Sequence, residues 1–245
     1  MNRVMIVTGA SRGIGAETAV LGAASGYAVA VNYQKNREAA QAVVRRIAEA
    51  GGKAIAVAGD VSNETDILRL FDTVDRELGR VTALVNNAGI VAPAMTVEQM
   101  SVERITRMFA VNVTGSFLCA REAIKRMSKR RGGAGGAIVN LSSVAARLGG
   151  SMEYVDYAAA KGAIDTFTIG LAREAGPDGI RVNAVRPGII RTEIHIDPTR
   201  VDRVGPTAPL QRAGEPDEVA RAIVWLLSDE ASYVTGALVD VTGGR

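Results

Sequence analysis

Seven short apolar runs, separated mostly by longer segments with a polar side, constrain this chain more than any other feature of its sequence. The runs are residues 4–7, 28–31, 54–58, 83–85, 137–141, 182–185 and 237–239, rich in Val, Ile and Ala. Each is continuous rather than alternating, as a strand buried on both faces requires. The intervening segments 16–25, 38–50, 64–78, 102–127, 157–175 and 217–227 carry helical spacing. Ser62 or Asn63 followed by acidic residues marks one helix start, and Glu215-Pro216 marks another. Strand and helix in alternation imply a parallel sheet with helices on both faces, a doubly wound α/β fold. No Pro/Ser-rich linker divides the 245 residues, so residues 1–245 are read as one domain. The segment 190–215 breaks the rhythm: it is polar, holds three Pro and is long for a connection, which predicts a lid.

Composition excludes several chemistries. One Cys, Cys119, rules out an intrachain disulfide and a Cys-cluster metal site. One His, His195, rules out a zinc site built on two or three imidazoles, so no metal is expected. A formal charge of +3, from 29 basic and 26 acidic residues, is too small an excess to predict nucleic-acid binding. No uncharged apolar stretch reaches the ~18 residues of a membrane span. Met1-Asn2-Arg3 leads into an apolar run too short for a signal-peptide core. A cytoplasmic location follows as the expectation. Cys119 lies in an apolar run and reads as a buried, inert thiol, and His195 as a solvated loop side chain.

Thr8-Gly9-Ala10-Ser11-Arg12-Gly13-Ile14-Gly15 stands between the first strand and a helix start. Glycines there let the backbone turn tightly and approach a pyrophosphate, while the helix end supplies free N–H groups. The spacing is Gly-x-x-x-Gly-x-Gly. Candidate cofactor contacts in this turn are Gly9, Ser11, Arg12, Gly13, Ile14 and Gly15. The second strand ends in Asn32-Tyr33, two further candidates, with no carboxylate before Glu38. A carboxylate at this place would repel a 2′-phosphate. Arg12, Lys35 and Arg37 instead offer positive charge, which favours NADP, with NAD as the alternative. Asp60-Val61 follows the third strand, where an adenine ring or a helix cap are equal readings.

Asn86-Asn87-Ala88-Gly89 follows the fourth strand, and its small side chains and amides allow close approach of a ligand; Asn87, Ala88 and Gly89 are candidate contacts. Tyr157 and Lys161 stand four residues apart, on one face of a helix. A phenol of ordinary pKa is a poor acid–base at neutral pH, and a nearby ammonium lowers it. Lysine is scarce, with five in the chain, so its position beside a Tyr carries weight. Ser143 ends the fifth strand, on the rim where strand ends converge, and can meet Tyr157 at a substrate oxygen. Asn112 sits inside a helix, where Asn is a mediocre residue, and points to a polar task.

With these motifs in this order, and with Arg186-Pro187-Gly188 after the sixth strand, the chain resembles the short-chain dehydrogenase/reductase family over nearly its whole length. The likeness is to the NADP-preferring type that includes β-ketoacyl carrier-protein reductases and glucose dehydrogenases. It looks most like a bacterial subgroup of uncharacterised oxidoreductases sharing Glu153-Tyr154-Val155-Asp156-Tyr157 and Val224-Trp225-Leu226-Leu227-Ser228-Asp229. The resemblance implies a Rossmann-type sheet of order 3-2-1-4-5-6-7 and a homotetramer. It also implies a catalytic tetrad of Asn112, Ser143, Tyr157 and Lys161. In that scheme Ser143 polarises the substrate oxygen, Tyr157 moves the proton, Lys161 lowers the Tyr157 pKa and bonds the nicotinamide ribose, and Asn112 holds a relay water. Pro187, Gly188 and Ile190 lie by the nicotinamide and Thr192 bonds its carboxamide. The implied reaction transfers a hydride between NADP(H) and a small-molecule carbonyl or secondary alcohol. The alternatives are a non-catalytic dinucleotide sensor and an NAD-dependent sugar or alcohol dehydrogenase. The Ser143–Tyr157 spacing is one residue longer than in typical ketoacyl reductases, and the 190–215 segment is shorter than in close relatives. Both line the substrate side, so a substrate is not carried across. An apolar C-terminal strand at the sheet edge fits an oligomer that covers it.

Overall fold

The computed structural model describes residues 3–197 and 199–245; Met1 and Asn2 of the N-terminal reading and Pro198 of the 190–215 reading lie outside the described residues. All seven strands are parallel, in the order β3-β2-β1-β4-β5-β6-β7. They are β1 Arg3–Val7, β2 Tyr27–Tyr33, β3 Ala54–Ala58, β4 Ala83–Asn86, β5 Gly136–Leu141, β6 Ile180–Pro187 and β7 Leu238–Val241. The order implied by the resemblance is therefore the order observed. Each apolar run lies in a strand except for Ala237, which precedes β7, and most strands run one or two residues beyond the run. Backbone pairing with a neighbour continues past the end of a run, as at Asn86, paired with Asn140, and at Pro187, paired with Val241.

The helices are α1 Gly13–Ala24, α2 Arg37–Glu49, α3 Glu64–Glu77, α4 Val102–Phe109, α5 Gly115–Met127, α6 Ala145–Leu148, α7 Val155–Ala175, α8 Arg200–Val204 and α9 Pro216–Leu227. They cover both faces of the sheet. On one face Ile67, Leu70, Phe71 and Val74 of α3 pack with Cys119, Ala120 and Ala123 of α5 against Ile6, Leu84 and Ile138. On the other, Val43 and Ile47 of α2, Ala16 and Ala19 of α1, and Val219 and Ile223 of α9 pack against Val7, Val29 and Val139. Removing this apolar surface from water is the main driving force for such a layered fold. Asn63 caps α3 by accepting from the Asp66 N–H at 3.2 Å. The Cys119 thiol is fully buried, and burial pushes it up to about 12.

Three differences from the sequence reading bear on function. Helix α1 starts three residues earlier than expected, because Gly13 and Gly15 form its first turn. The segment 102–127 is not one regular helix: a wider π-type turn, Ala110–Thr114, separates α4 from α5 and contains Asn112. The segment 190–215 is not structureless. It holds α8 and is closed on the body by a parallel bridge between Ile190 and Gly214 and by a Leu210 N–H to Gly243 O bond of 3.0 Å. Among the described residues no helix is long and apolar enough to cross a membrane.

Candidate active site

The strand order reverses between β1 and β4, so their carboxyl ends flank a crevice, the usual ligand site in an open parallel sheet. A cleft of about 620 Å³ opens along this rim. Its floor includes Ile14, Asn87, Gly89, Ser143, Tyr157 and Lys161, with Pro187, Gly188, Ile190 and Thr192 on the β6 side. The strand-end motifs, far apart in sequence, thus meet in one place.

The first turn is built around backbone. Gly9 and Gly13 have φ of 61° and 56°, a region L side chains avoid. Arg12 precedes α1 in an extended conformation, with no side chain capping the first N–H groups. Those donors and the positive end of the helix suit an anion. Asn87 braces the turn: its Nδ2 donates to Thr8 O at 2.8 Å and Gly9 O at 3.0 Å. A Cβ on Gly15 would sit 2.4 Å from that Nδ2 and 2.7 Å from Gly9 O. Gly15→Ala is therefore expected to displace Asn87, lower stability by about 1–3 kcal/mol as overpacking does, and weaken nucleotide binding at least tenfold. Denaturant unfolding and a fluorescence titration with NADPH measure the two effects.

The residues at the ends of β2 and β3 take different places. Asn32 is buried, with its Oδ1 accepting from Gly9 N–H at 3.2 Å and its Nδ2 donating to Val57 O and Gly59 O. Its amide ties the first turn to β3 and faces inward. Tyr33 and Val61 are buried too, the latter against Gly115. Asp60 accepts from Gln34, Ser62 and Arg107. Burial opposes its ionisation, but the Ser62 and Arg107 bonds outweigh it and hold the carboxyl below its usual range. Asn63, rather than Asp60, caps α3. Arg12, Lys35 and Arg37 are exposed and form no ion pair among the described residues, and no carboxylate stands between Asn32 and Glu38.

The rim residues of α7 and β5 lie deeper. Lys161 is 4% exposed. Its Nζ donates to Leu141 O at 2.6 Å and stands 5.6 Å from the Tyr157 ring centroid. Burial draws the ammonium down to about 8, opposed by Asp165. Tyr157 is pushed up to about 12 by burial, opposed by a hydrogen bond with Ser143. This corrects the expectation of a phenol lowered by the ammonium. Lys161 is turned to the Leu141 carbonyl, so desolvation governs the phenol. The Ser143 Oγ accepts from Ala145 N–H at 3.1 Å, leaving its own proton free to donate.

Asn112 is 1% exposed, and its amide is committed to backbone: Oδ1 accepts from Ile90 N–H at 3.1 Å and Nδ2 donates to Ile90 O and Met108 O. It splints the π-type turn to the segment after β4, where a Cβ on Gly89 would lie 2.8 Å from its Oδ1. His195 is not free in solvent; its Nε2 is 2.8 Å from Ile190 O and the ring lines the cleft.

Sequence reasoning missed the outer wall. Val91, Ala92, Pro93 and Ala94 make it aliphatic on one side, with Leu148, Ile194 and Ile196 opposite. Tyr154 packs edge-on to Tyr157 at 5.6 Å, and α8 reaches in through Arg200, which pairs with both Glu153 carboxylate oxygens at 2.8 Å. Arg104 of α4 pairs with buried Asp156 at 2.8 Å and donates to Pro93 O at 2.7 Å. Glu153, Tyr154 and Asp156 stand in the motif shared with the bacterial subgroup, but no spacing gives them or the other residues of this wall a role, because their meeting depends on loop paths and helix packing.

Comparison with known proteins agrees with this geometry. A family model described as enoyl-(acyl carrier protein) reductase matches residues 9–245. The chain is 57% identical over 245 residues to an uncharacterized oxidoreductase of Escherichia coli (strain K12), covering 99% of both chains. It is 40% identical over 243 residues to a 3-oxoacyl-[acyl-carrier-protein] reductase of Synechocystis, covering 99% of this chain and 96% of the relative. A solved short-chain type dehydrogenase/reductase from Mycobacterium marinum superposes with a TM-score of 0.92 at 35% identity, covering 99% of this chain and 94% of that one. A cleft at the sheet's reversal point, a phosphate-type turn and a Ser-Tyr-Lys rim, together with these matches, make the assignment: the chain belongs to the short-chain dehydrogenase/reductase family of NAD(P)-dependent oxidoreductases.

Proposed function

We propose that this protein reduces a small-molecule carbonyl with NADPH, or oxidises the matching secondary alcohol with NADP, using Tyr157 as general acid and base. The observation that carries the proposal is the convergence of Ser143, Tyr157 and Lys161 on one cleft with the uncapped turn at Gly9–Gly15. That turn, with Arg12, Ser11 and Ile14, fits a pyrophosphate. Asn87, Ala88 and Gly89, then Pro187, Gly188, Ile190 and Thr192, would hold the rest of the dinucleotide. Unpaired Arg12, Lys35 and Arg37, with no carboxylate at the β2 end, support NADP over NAD. The bound nicotinamide supplies or accepts the hydride. The protein positions the substrate oxygen and handles its proton.

Ser143 donates a hydrogen bond to the substrate oxygen and polarises the carbonyl. Tyr157, a neutral phenol at physiological pH, donates its proton to that oxygen as it gains negative charge. Lys161 stabilises the phenolate left behind. Asn112 keeps the segment at Gly89–Ile90 fixed beneath the substrate. The segment 190–215, anchored by Arg200 to Glu153, serves as the lid that excludes water. A lone cysteine held as a buried free thiol suits a reducing, cytoplasmic setting. A homotetramer would cover the exposed Val102 of α4, Phe117 of α5 and Trp225 of α9.

The test is a panel of aliphatic ketones and secondary alcohols assayed in parallel with NADPH/NADP and NADH/NAD. Cofactor-dependent turnover that is faster with NADPH supports the proposal. No turnover with any member, despite tight nucleotide binding, overturns it. Ketone reduction is expected to be flat below pH ~7 and to fall as pH rises through about 8, where Lys161 loses its charge. A steady-state pH profile checks this.

A further inference from the structure

Asp165 is a largely buried acid, its side chain 13% exposed, that the proposed reaction leaves unused. It stands one turn beyond Lys161 on α7, so Tyr157, Lys161 and Asp165 lie at positions i, i+4 and i+8 along one face of the helix. Its Oδ2 accepts from Arg186 Nε at 3.0 Å. Its Oδ1 is buried and has no hydrogen-bond partner among the described residues. An unsatisfied buried carboxylate oxygen is costly unless a nearby charge compensates it. Arg186, at the end of β6, also reaches Asp240 Oδ1 of β7 at 3.3 Å, and Asp240 Oδ2 accepts from Arg147 of α6 at 2.6 Å. Charges therefore alternate along Asp165, Arg186, Asp240 and Arg147 toward the sheet edge, with Lys161 one helical turn before Asp165 on the cleft side.

The surroundings leave Asp165 as the counter-charge for Lys161. On the cleft side Lys161 faces the Tyr157 ring, which Tyr154 meets edge-on. Strand β5 presents the Leu141 carbonyl, and the π-type turn and the β4 end present neutral Asn112 and Gly89. Across the cleft, Glu153 is engaged by Arg200; His195, Asp197 and Arg245 line the outer rim. We propose that Asp165 is a positioning residue for the reaction, its carboxylate keeping the buried Lys161 ammonium charged while Arg186 fixes the carboxylate from behind. The inference rests on the reading of Lys161 in the proposed function. Burial opposes the ammonium and Asp165 favours it, in line with this geometry.

The test follows the Lys161 Nζ resonance through a pH titration of the folded chain without added nucleotide, assigned with a Lys161→Arg variant. In Asp165→Asn the titration is expected to move at least about one pH unit lower, a tenfold change in proton affinity. Asp165→Glu should restore it, and Arg186→Gln, which keeps the carboxylate, should not lower it. The alkaline limb of the ketone-reduction profile should follow the same order. A measurement needing no Asp165 variant is the wild-type Asp165 carboxyl carbon, which should shift as Lys161 titrates and stay flat in Lys161→Arg. An unmoved Lys161 titration in Asp165→Asn, or a carboxyl carbon blind to Lys161, overturns the inference. A Lys161 titration that moves without the rate profile moving supports Asp165 as counter-charge and overturns instead the part given to Lys161 in turnover.

Discussion

Tyr157→Phe is expected to lower turnover by at least ~100-fold, the lower end of what a positioned general acid contributes, while NADPH binding stays within about threefold. The phenol lines the cleft with the Ser143 hydroxyl beside it, while the other phenol there, Tyr154, accepts a hydrogen bond from Arg200. Lys161 is held by Leu141 O, and Ser143 is a far weaker acid. The ring itself packs edge-on to Tyr154 and is retained in Phe, so the fold should be unaffected. Single-turnover reduction and a nucleotide fluorescence titration, run on the same preparation, separate chemistry from binding. Turnover near the wild-type level would sink Tyr157 as the acid.

The largest stability effect is expected from Asp156→Ala, at about 3–5 kcal/mol, the loss found when one partner of a buried ion pair is removed. The Asp156 side chain is 2% exposed and that of Arg104 12%. Removing the carboxylate leaves a guanidinium with its Nε donor unpaired in a dry site. The neighbouring bond from Arg104 to Pro93 O also holds the 91–94 wall of the cleft, so a rise in KM should accompany the loss of stability. Urea unfolding and steady-state kinetics measure the two. A loss below about 1 kcal/mol would place the pair in the weak class of surface salt bridges.

Much of this architecture was legible beforehand because buried parallel strands need continuous apolar runs, and this chain has seven. Registers and strand ends were less legible. The chain does not signal where main-chain pairing outlasts a run, as at Asn86, whose side chain also donates to Asn140 Oδ1 at 2.9 Å. The site divides in the same way. Tyr157 and Lys161 share a helix face by spacing alone, and Ser143 and Gly89 follow strands whose ends must converge. Asn32 shows the limit: a polar residue at a strand end reads as a ligand contact, yet its three hydrogen bonds hold the backbone of its neighbours.

By itself the sequence determined the layered α/β fold, the glycine-rich turn before a helix, and the pairing of one Tyr with a scarce Lys, because periodicity and spacing act locally. Only the tertiary structure decided the ionisation of that pair. Burial, a property of the whole packed rim, raises the phenol and lowers the ammonium, against the local expectation that the two would favour each other's charged forms. It also decided which distant groups meet them: the aliphatic wall from the β4 loop, Arg200 from α8, and Arg186 behind Asp165. Those meetings depend on loop paths and helix packing across the sheet, and no window of sequence contains them.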